Sequence, residues 1–430
     1  MNRRRRLLLG AAVAAPLAAV VAAKPRARAG AHDAYFRALQ SALAEAGLMR
    51  PTLVIDRARL QHNLARLQAN RPRNFAYRIV AKSLPSLPLI ETVRRATGTD
   101  RLMVFHQPFL NLVGERMPDA RVLLGKPMPA GAVARFFAHH RNPAFDPLAR
   151  IEWLVDTPVR IAEYAELARA RAAEGLGPMR LNFEIDVGLH RGGLRDGRAV
   201  AEALRAVQAE PSLRFSGLMG YEAHASKMPG LLGGPRGALD RAMQAYAEAL
   251  GAVRETLGDT FDASALTLNA GGSSTYAMYD GSEPCNELAM GSGLVMPTDF
   301  DVPSLADHQP ASYIATPVLK ALDRTEIAGI ESLTGLFRAW DPNTARAFFL
   351  YGGYWLADPV SPPGLQRNAI WGHSTNQDLY NGSVDVELAV GDHVFLRPHQ
   401  SEFVFLQFGD IAVYDDGRIV ETWPVFTQGA

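Results

Sequence analysis

Three clusters in this sequence hold side chains suited to covalent and anion-binding chemistry. Lys82 closes the apolar run Ala76-Tyr77-Arg78-Ile79-Val80-Ala81 and precedes Ser83-Leu84-Pro85. A surface lysine ordinarily sits among polar neighbours. One delivered by an apolar strand stands where a barrel hands its last side chain to a catalytic face, the place expected of a Schiff-base amine. In the second cluster, Leu266-Thr267-Leu268-Asn269-Ala270 leads into Gly271-Gly272-Ser273-Ser274-Thr275. Glycines let backbone N–H groups approach a phosphate, and hydroxyls add donors. In isolation this is a plain Gly-Gly-Ser turn; its place after a seventh strand favours phosphate. The third cluster, Phe183-Glu184-Ile185-Asp186-Val187-Gly188-Leu189-His190-Arg191-Gly192-Gly193, ends a strand and presents an arginine inside a glycine-rich turn. A simple surface arginine is the alternative there. Asp186 reads as orienting the loop, and His190 as structural.

The elements that must position these residues follow from periodicity. Arg50 to Asp56 is a β-rich run, and Leu60, Leu64 and Leu67 mark an amphipathic helix after it. A helix from about Leu87 to Arg95 follows the Lys82 strand. Eight β-like runs start near Tyr77, Arg101, Ala120, Ile151, Leu181, Phe215, Leu266 and Asn286, mostly separated by helices such as Pro158 to Ala173 and Ala238 to Leu257. Eight alternations predict an α/β fold, a (β/α)8 TIM barrel, over residues 45–305. Beyond about Ala311 helical periods become rare. Runs such as Ala347 to Tyr351 and His393 to Leu396 alternate with Gly, Asp and Pro turns. This predicts a C-terminal β domain over 306–430, packing with the N-terminal strand near 50–56.

This order, with Asn63 inside the first helix, resembles the opening of the fold-type III pyridoxal-phosphate (PLP) enzymes, the alanine racemase-like barrels. Within them it is nearer to the D-threonine aldolase and D-serine dehydratase group. The run from Asp186 to Gly193 resembles that group's Asp-x-Gly-x-x-Arg-x-Gly element, and Gly220-Tyr221-Glu222-Ala223-His224 its Gly-Tyr-Glu-Gly-His run. The resemblance implies that Lys82 carries PLP and that Gly271, Gly272, Ser273 and Ser274 hold its phosphate. It implies further that Arg191 reaches the phenolic oxygen and that Tyr221 or His224 lies beside the ring. The implied function is a PLP-dependent lyase acting on a D-β-hydroxy amino acid through an external aldimine and a Cα carbanion, with Lys82 shuttling the proton. Breaking Cα–Cβ makes it an aldolase; breaking Cα–H with loss of β-hydroxide makes it a dehydratase. A racemase is the alternative and needs a second acid/base on the opposite face, for which Tyr276 or Tyr279 is the candidate, either within the chain or across a dimer interface. A non-catalytic PLP- or amino-acid-binding protein is another. The implied assembly is a homodimer with a small-molecule amino acid substrate.

The sequence departs from the group's pattern at two places. The strand-eight run Asn286-Glu287-Leu288-Ala289-Met290-Gly291 has Ala289 or Met290 where an arginine is expected. The group also holds a divalent metal, Mn or Zn, beside PLP through a histidine and a cysteine or aspartate two residues on. Here His399 fits, but Ser401 is a poor ligand and Gln377 stands near the place of a second histidine. Glu402 or His373 could substitute as ligands. A metal is therefore doubtful, and His399 is left as a candidate bare acid/base.

Composition sets the outer bounds. Apolar residues make up 48% of the 430 and charged residues 21%, as in ordinary globular proteins. Seven of the 45 basic residues precede Ala31, where no acidic residue lies. Without them 38 face 44 acidic residues, a net charge of −6, which argues against nucleic acid as a partner. Arg3-Arg4-Arg5-Arg6, an apolar run from Leu7 to Ala23 and small-residue sites up to Ala29 predict a signal peptide over residues 1–29, of the twin-arginine type, and export to a bacterial periplasm. An uncleaved leader would be the sole membrane contact. The single Cys285 excludes an intramolecular disulfide.

Overall fold

The computed structural model describes residues 24–427 except Ala29, Glu174 and Ile327. The leader over residues 1–29 falls largely outside them, so its form is not described. Among the described residues no helix is long and apolar enough to cross a membrane.

The chain divides into two compact units. One comprises Ile55–Ser312, His399–Val413 and Thr422 onward; the other comprises the residues up to Val54, Tyr313–Pro398 and Tyr414–Glu421. Helix α1 (Ala34–Glu45) and strand β1 (Thr52–Asp56) come first. The barrel unit then runs through α2 (Arg57–Asn70), β2 (Ala76–Val80), α3 (Leu87–Thr97), β3 (Arg101–Val104), α4 (Gln107–Arg116), β4 (Arg121–Leu124), α5 (Ala130–His139) and α6 (Pro147–Arg150). It continues with β5 (Ile151–Val155), α7 (Pro158–Ala172), β6 (Met179–Glu184), α8 (Gly197–Gln208), β7 (Leu213–Met219), α9 (Gly234–Leu257), β8 (Thr267–Ala270) and β9 (Glu287–Met290). Strands β2 to β9 are all parallel and close into a barrel where β2 pairs with β9, Ala76 opposite Glu287 and Ile79 opposite Met290. The eight expected strands are these eight.

Short polar signals fix the helices. Asp56 caps α2 by accepting from the Arg59 N–H at 2.9 Å, and Thr157 and Asp196 cap α7 and α8 in the same way. Gly98 ends α3 in the left-handed conformation, φ 70°. Asn63, fully buried on α2, is a structural tie. Its amide donates to the carbonyls of Leu294 and Gln309 and accepts from the Gln309 N–H, all within 2.9 Å.

The lower part of the barrel interior is filled by charge as well as by apolar side chains. Glu287, fully buried, accepts Arg78 Nε at 2.5 Å and Arg101 at 2.5 Å, and Arg78 also donates to the carbonyls of Leu102 and Arg121. Burial alone would raise the Glu287 pKa, but the two guanidiniums overcome it and hold the carboxyl below its ordinary value. A second carboxylate, Glu152, accepts Thr267 Oγ1 at 2.8 Å, Ser216 Oγ at 3.0 Å and Asn182 Nδ2 at 3.2 Å. Arg78 thus lies in the barrel's ionic layer, although its run reads as an apolar strand.

The second unit is a nine-stranded sheet. β10 (Ser312–Leu322) is its long central strand, and α10 (Thr334–Trp340) follows it. Then come β11 (Arg346–Leu350), β12 (Ala357–Ser361), β13 (Gln366–Arg367), β14 (Leu379–Gly382) and β15 (His393–Pro398). After α11 (Glu402–Phe405), strands β16 (Asp410–Asp415) and β17 (Arg418–Pro424) complete it. The main path is β13-β14-β11-β10-β1-β16-β17, with β15 also pairing β10 and β12. The N-terminal strand β1 therefore lies inside this sheet.

Candidate active site

Lys82 sits on a single turn, Ala81–Ser83, directly after β2. Pro85 in the next segment stops that turn from continuing into α3, so the amine is offered at the strand's carboxyl end, the catalytic face of such barrels. Its Nζ lies 2.7 Å from Glu402 Oε1 and 4.6 Å from the Phe105 ring centroid. The pair opens onto a cavity of about 580 Å3. Strand ends contribute Val80, Met103, Met219, Asn269 and Ala289 to its lining. Asn269 is the one polar residue of that set. Its Nδ2 is held at 2.8 Å by Glu287 Oε1, which leaves the amide carbonyl as the remaining acceptor.

The glycine loop lines the same cavity, but its glycines act differently from the expectation of phosphate donors. The Gly271 N–H goes to Glu222 Oε2 at 3.2 Å and the Gly272 N–H to Thr275 Oγ1 at 3.0 Å. Thr275 Oγ1 in turn donates to Glu222 Oε1 at 2.5 Å. The loop is folded around Glu222, whose pKa burial raises against the opposing effect of these donors. What the glycines supply is room. Gly271 has φ +79°, and a Cβ on Gly272 would lie 2.7 Å from Tyr221 Cε2. Ser273 Oγ accepts the N–H groups of Gly291 and Gly293 at 3.3 and 3.0 Å, so its own proton is free to donate. Ser274 is buried beside it, its carbonyl accepting from Ser304 Oγ, and its side chain does not line the cavity.

Arg191 and Tyr221 also line the cavity. The Arg191 guanidinium is 5.2 Å from the Tyr221 ring centroid. Asp186 builds the turn that carries Arg191. Its Oδ1 accepts the N–H groups of Gly188 and His190 at 3.0 Å, and its Oδ2 meets His190 Nδ1 at 2.8 Å. Glu184 beside them has its pKa raised, first by burial and then by Asp156, with Arg191 opposing.

The structure thus gathers Lys82, Arg191, Tyr221, Gly271, Gly272 and Ser273 around one cavity. His224, His399 and the Ser274 side chain are not in its lining. The His399 carbonyl accepts the Asp299 N–H at 3.1 Å, and three residues on it is Glu402 that faces Lys82. Tyr276 is buried with its hydroxyl 3.1 Å from His308 Nε2, and Tyr279 is buried beside Glu222, so neither lines the cavity as a racemase base would. His373 packs on the Tyr354 ring and Gln377 accepts from Lys320. Among the described residues no three His, Cys, Asp or Glu side chains form a metal-holding group. Sequence reading missed Glu222, Asn269 and Phe105, and took Glu402 only as a substitute ligand. The Gly-Tyr-Glu run signalled Glu222, since a carboxylate following an apolar strand must find partners when buried.

The segment after β17 packs beside the stretch that follows the Lys82 turn. The Phe426 N–H donates to the Pro85 carbonyl at 2.7 Å, and the Phe426 ring meets Phe109 edge-on at 4.7 Å. Ser401 is buried with its Oγ 3.3 Å from Ser292 Oγ, which fixes the turn that carries Glu402 to the end of β9.

PLP requires an amine for its aldehyde, donors for its phosphate, a cation for its phenolate and an open hollow beside them. Lys82, the Ser273 hydroxyl, Arg191 and this cavity meet those needs, and the missing Cβ at Gly272 leaves the opening clear. The chain belongs to the alanine racemase N-terminal domain family, whose model matches residues 55–299, more than half of the chain. The family is that of the fold-type III, PLP-dependent enzymes. No curated protein matches by sequence. Among solved structures, the chain is similar to a D-threonine aldolase from Filomicrobium marinum (TM-score 0.66, 17% identity, 87% of this chain and 95% of that one). It is also similar to D-threo-3-hydroxyaspartate dehydratase from Delftia sp. HT23 (TM-score 0.66, 16% identity, 88% and 98%). A third likeness is to alanine racemase from Bacillus anthracis (TM-score 0.62, 14% identity, 87% and 97%). At these identities the likeness establishes the fold, a barrel followed by a separate sheet domain.

Gly272→Ala tests the cradle. The added methyl must displace the Tyr221 ring, and overpacking of this kind costs about 1–3 kcal/mol. We expect the apoprotein's melting temperature to fall and PLP affinity, measured by fluorescence titration, to fall with it, by about 5- to 100-fold where the displaced Tyr221 ring fills the site. Unchanged affinity would remove the loop from the cofactor site.

Proposed function

We propose that this chain is a PLP-dependent lyase that acts on a D-β-hydroxy amino acid. One observation carries the reading: a strand-end lysine, the Ser273 loop and Arg191 face one cavity whose lining also holds a carboxylate, Glu402, at the reactive amine. When bound, PLP supplies an electron sink for the pair left when a bond to Cα breaks. Lys82 holds the cofactor and moves the Cα proton. Arg191, backed by the Asp186 turn, keeps positive charge at the phenolic oxygen. Ser273 donates its hydroxyl to the phosphate, and Tyr221 walls the ring. The likeness in fold to a D-threonine aldolase and a D-threo-3-hydroxyaspartate dehydratase supports the same class. A racemase would need a second base, and the burial of Tyr276 and Tyr279 away from the cavity disfavours that alternative.

The deciding experiment incubates the purified protein with PLP and D-threonine, D-serine or either enantiomer of alanine, with and without Mn2+ or Zn2+. Glycine plus an aldehyde, or a keto acid plus ammonia, supports the lyase. Interconversion of the alanines alone would make it a racemase, and no product from any of them would leave a binding protein. We further propose that the protein is exported as a folded holoprotein through its arginine-rich leader. Changing Arg3-Arg4-Arg5-Arg6 to lysines should then retain it in the cytoplasmic fraction.

A further inference from the structure

The lyase reading leaves open which bond to Cα breaks and what activates the β-hydroxyl. We propose that Glu402 is the acid–base residue that takes the β-hydroxyl proton, which makes the reaction an aldol cleavage that needs no divalent metal. The inference rests on the lyase reading and deepens it.

The geometry is specific. Glu402 is the carboxylate in the cavity lining, and its Oε1 lies 2.7 Å from Lys82 Nζ and 3.4 Å from Ser83 Oγ. Buried Ser401, held to Ser292, and the Phe405 N–H bonded to the Ser401 carbonyl at 3.1 Å fix the turn on which Glu402 stands. The carboxylate is therefore positioned by the barrel and does not wander with a loop. Its side chain is 33% exposed and that of Lys82 37%, so both are within reach of a small substrate. A carboxylate placed at the β-oxygen suits cleavage of Cα–Cβ, which needs a proton acceptor there, whereas elimination needs a proton donor to the leaving hydroxide.

The protons and electrons balance across this pair. Lys82 is released as a free amine when the substrate amine replaces it on the cofactor. The β-oxygen gives its proton to Glu402. The O–H electron pair becomes the second bond of the aldehyde carbonyl, and Cα–Cβ breaks with its pair left on Cα. Glu402 then passes that proton across the 2.7 Å separation to the Lys82 amine. The ammonium so formed gives it to Cα, which restores the free amine and the carboxylate. The net change is β-hydroxy amino acid to glycine and aldehyde, with no proton gained or lost.

The test compares the wild type with Glu402→Gln and Glu402→Asp as PLP-loaded proteins after EDTA dialysis, with three readouts. The wild type should cleave D-threonine without added metal. In Glu402→Gln, cleavage should fall about 10²- to 10⁴-fold, the range of a positioned acid–base group. Cofactor loading, read from visible absorbance, and exchange of the D-alanine α-proton with D2O, read by NMR, should persist, because neither involves a β-hydroxyl. Glu402→Asp should recover part of the cleavage. Wild-type cleavage rates in Glu402→Gln would overturn this role alone, as would parallel loss of loading and exchange, which marks a merely structural residue. Strict dependence on added metal would also overturn it. A wild type that cleaves no β-hydroxy amino acid would instead bring down the lyase reading itself.

Discussion

Lys82→Ala yields a folded, colourless protein that takes up PLP weakly and turns over no amino acid. The loss in kcat/KM is expected to be about 10⁴-fold or more, because one substitution removes both the covalent anchor and the group that moves the Cα proton. Folding should be nearly untouched. The Lys82 side chain is 37% exposed, and its ion pair with Glu402 is half in solvent, where such pairs contribute little. Visible absorbance of the dialysed protein and a denaturation midpoint check the two halves together. A coloured K82A that survives dialysis would sink the assignment, since no other amine could then be excluded as the anchor. Small amines added to K82A should restore a fraction of proton transfer without restoring tight cofactor retention.

The second large effect is structural. Glu287→Ala leaves Arg78, which is 1% exposed, without its carboxylate inside the barrel. Breaking a buried pair from one side costs about 3–5 kcal/mol. The damage should reach the cavity as well, because Asn269 loses the acceptor that fixes its amide. A lowered denaturant midpoint together with weakened PLP binding is therefore expected. The double change Arg78→Met and Glu287→Leu should recover much of the stability, since an apolar pair of similar volume replaces the desolvated charges. Arg101 is the remaining partner of Glu287, and its side chain, 25% exposed, can turn to solvent. If the single Glu287→Ala change proves neutral, the ionic layer is not what holds β2 and β9 together.

The barrel was legible because its strands are short, largely apolar runs, most of them separated by an amphipathic helix. The starts read near Tyr77, Arg101, Ala120, Ile151, Leu181, Phe215, Leu266 and Asn286 fall within about two residues of β2 to β9. Lys82, the glycine loop and Arg191 were legible for a related reason. Lys82 and the glycine loop follow directly on a strand and Arg191 within one turn of its end, so local spacing puts each at the mouth. What spacing cannot show is partnership across the fold. Lys82 and Glu402 are 320 positions apart in sequence and 2.7 Å apart in space. His399 drew attention through the histidine of a resembled motif, whereas the geometry selects the carboxylate three residues on. Arg78 passed as one polar residue in an apolar strand because its partner, Glu287, lies at the far end of the barrel's closure. The glycines line the cavity, and their N–H groups go to Glu222 and Thr275, partners that lie 49 and 3 positions away in sequence.

Because Glu402 follows every barrel strand in the chain, a growing polypeptide completes the β2–β9 closure before it holds the carboxylate that faces Lys82. Until residue 402 has left the ribosome that amine has no carboxylate opposite it, so the pair forms on a barrel whose strands are already made.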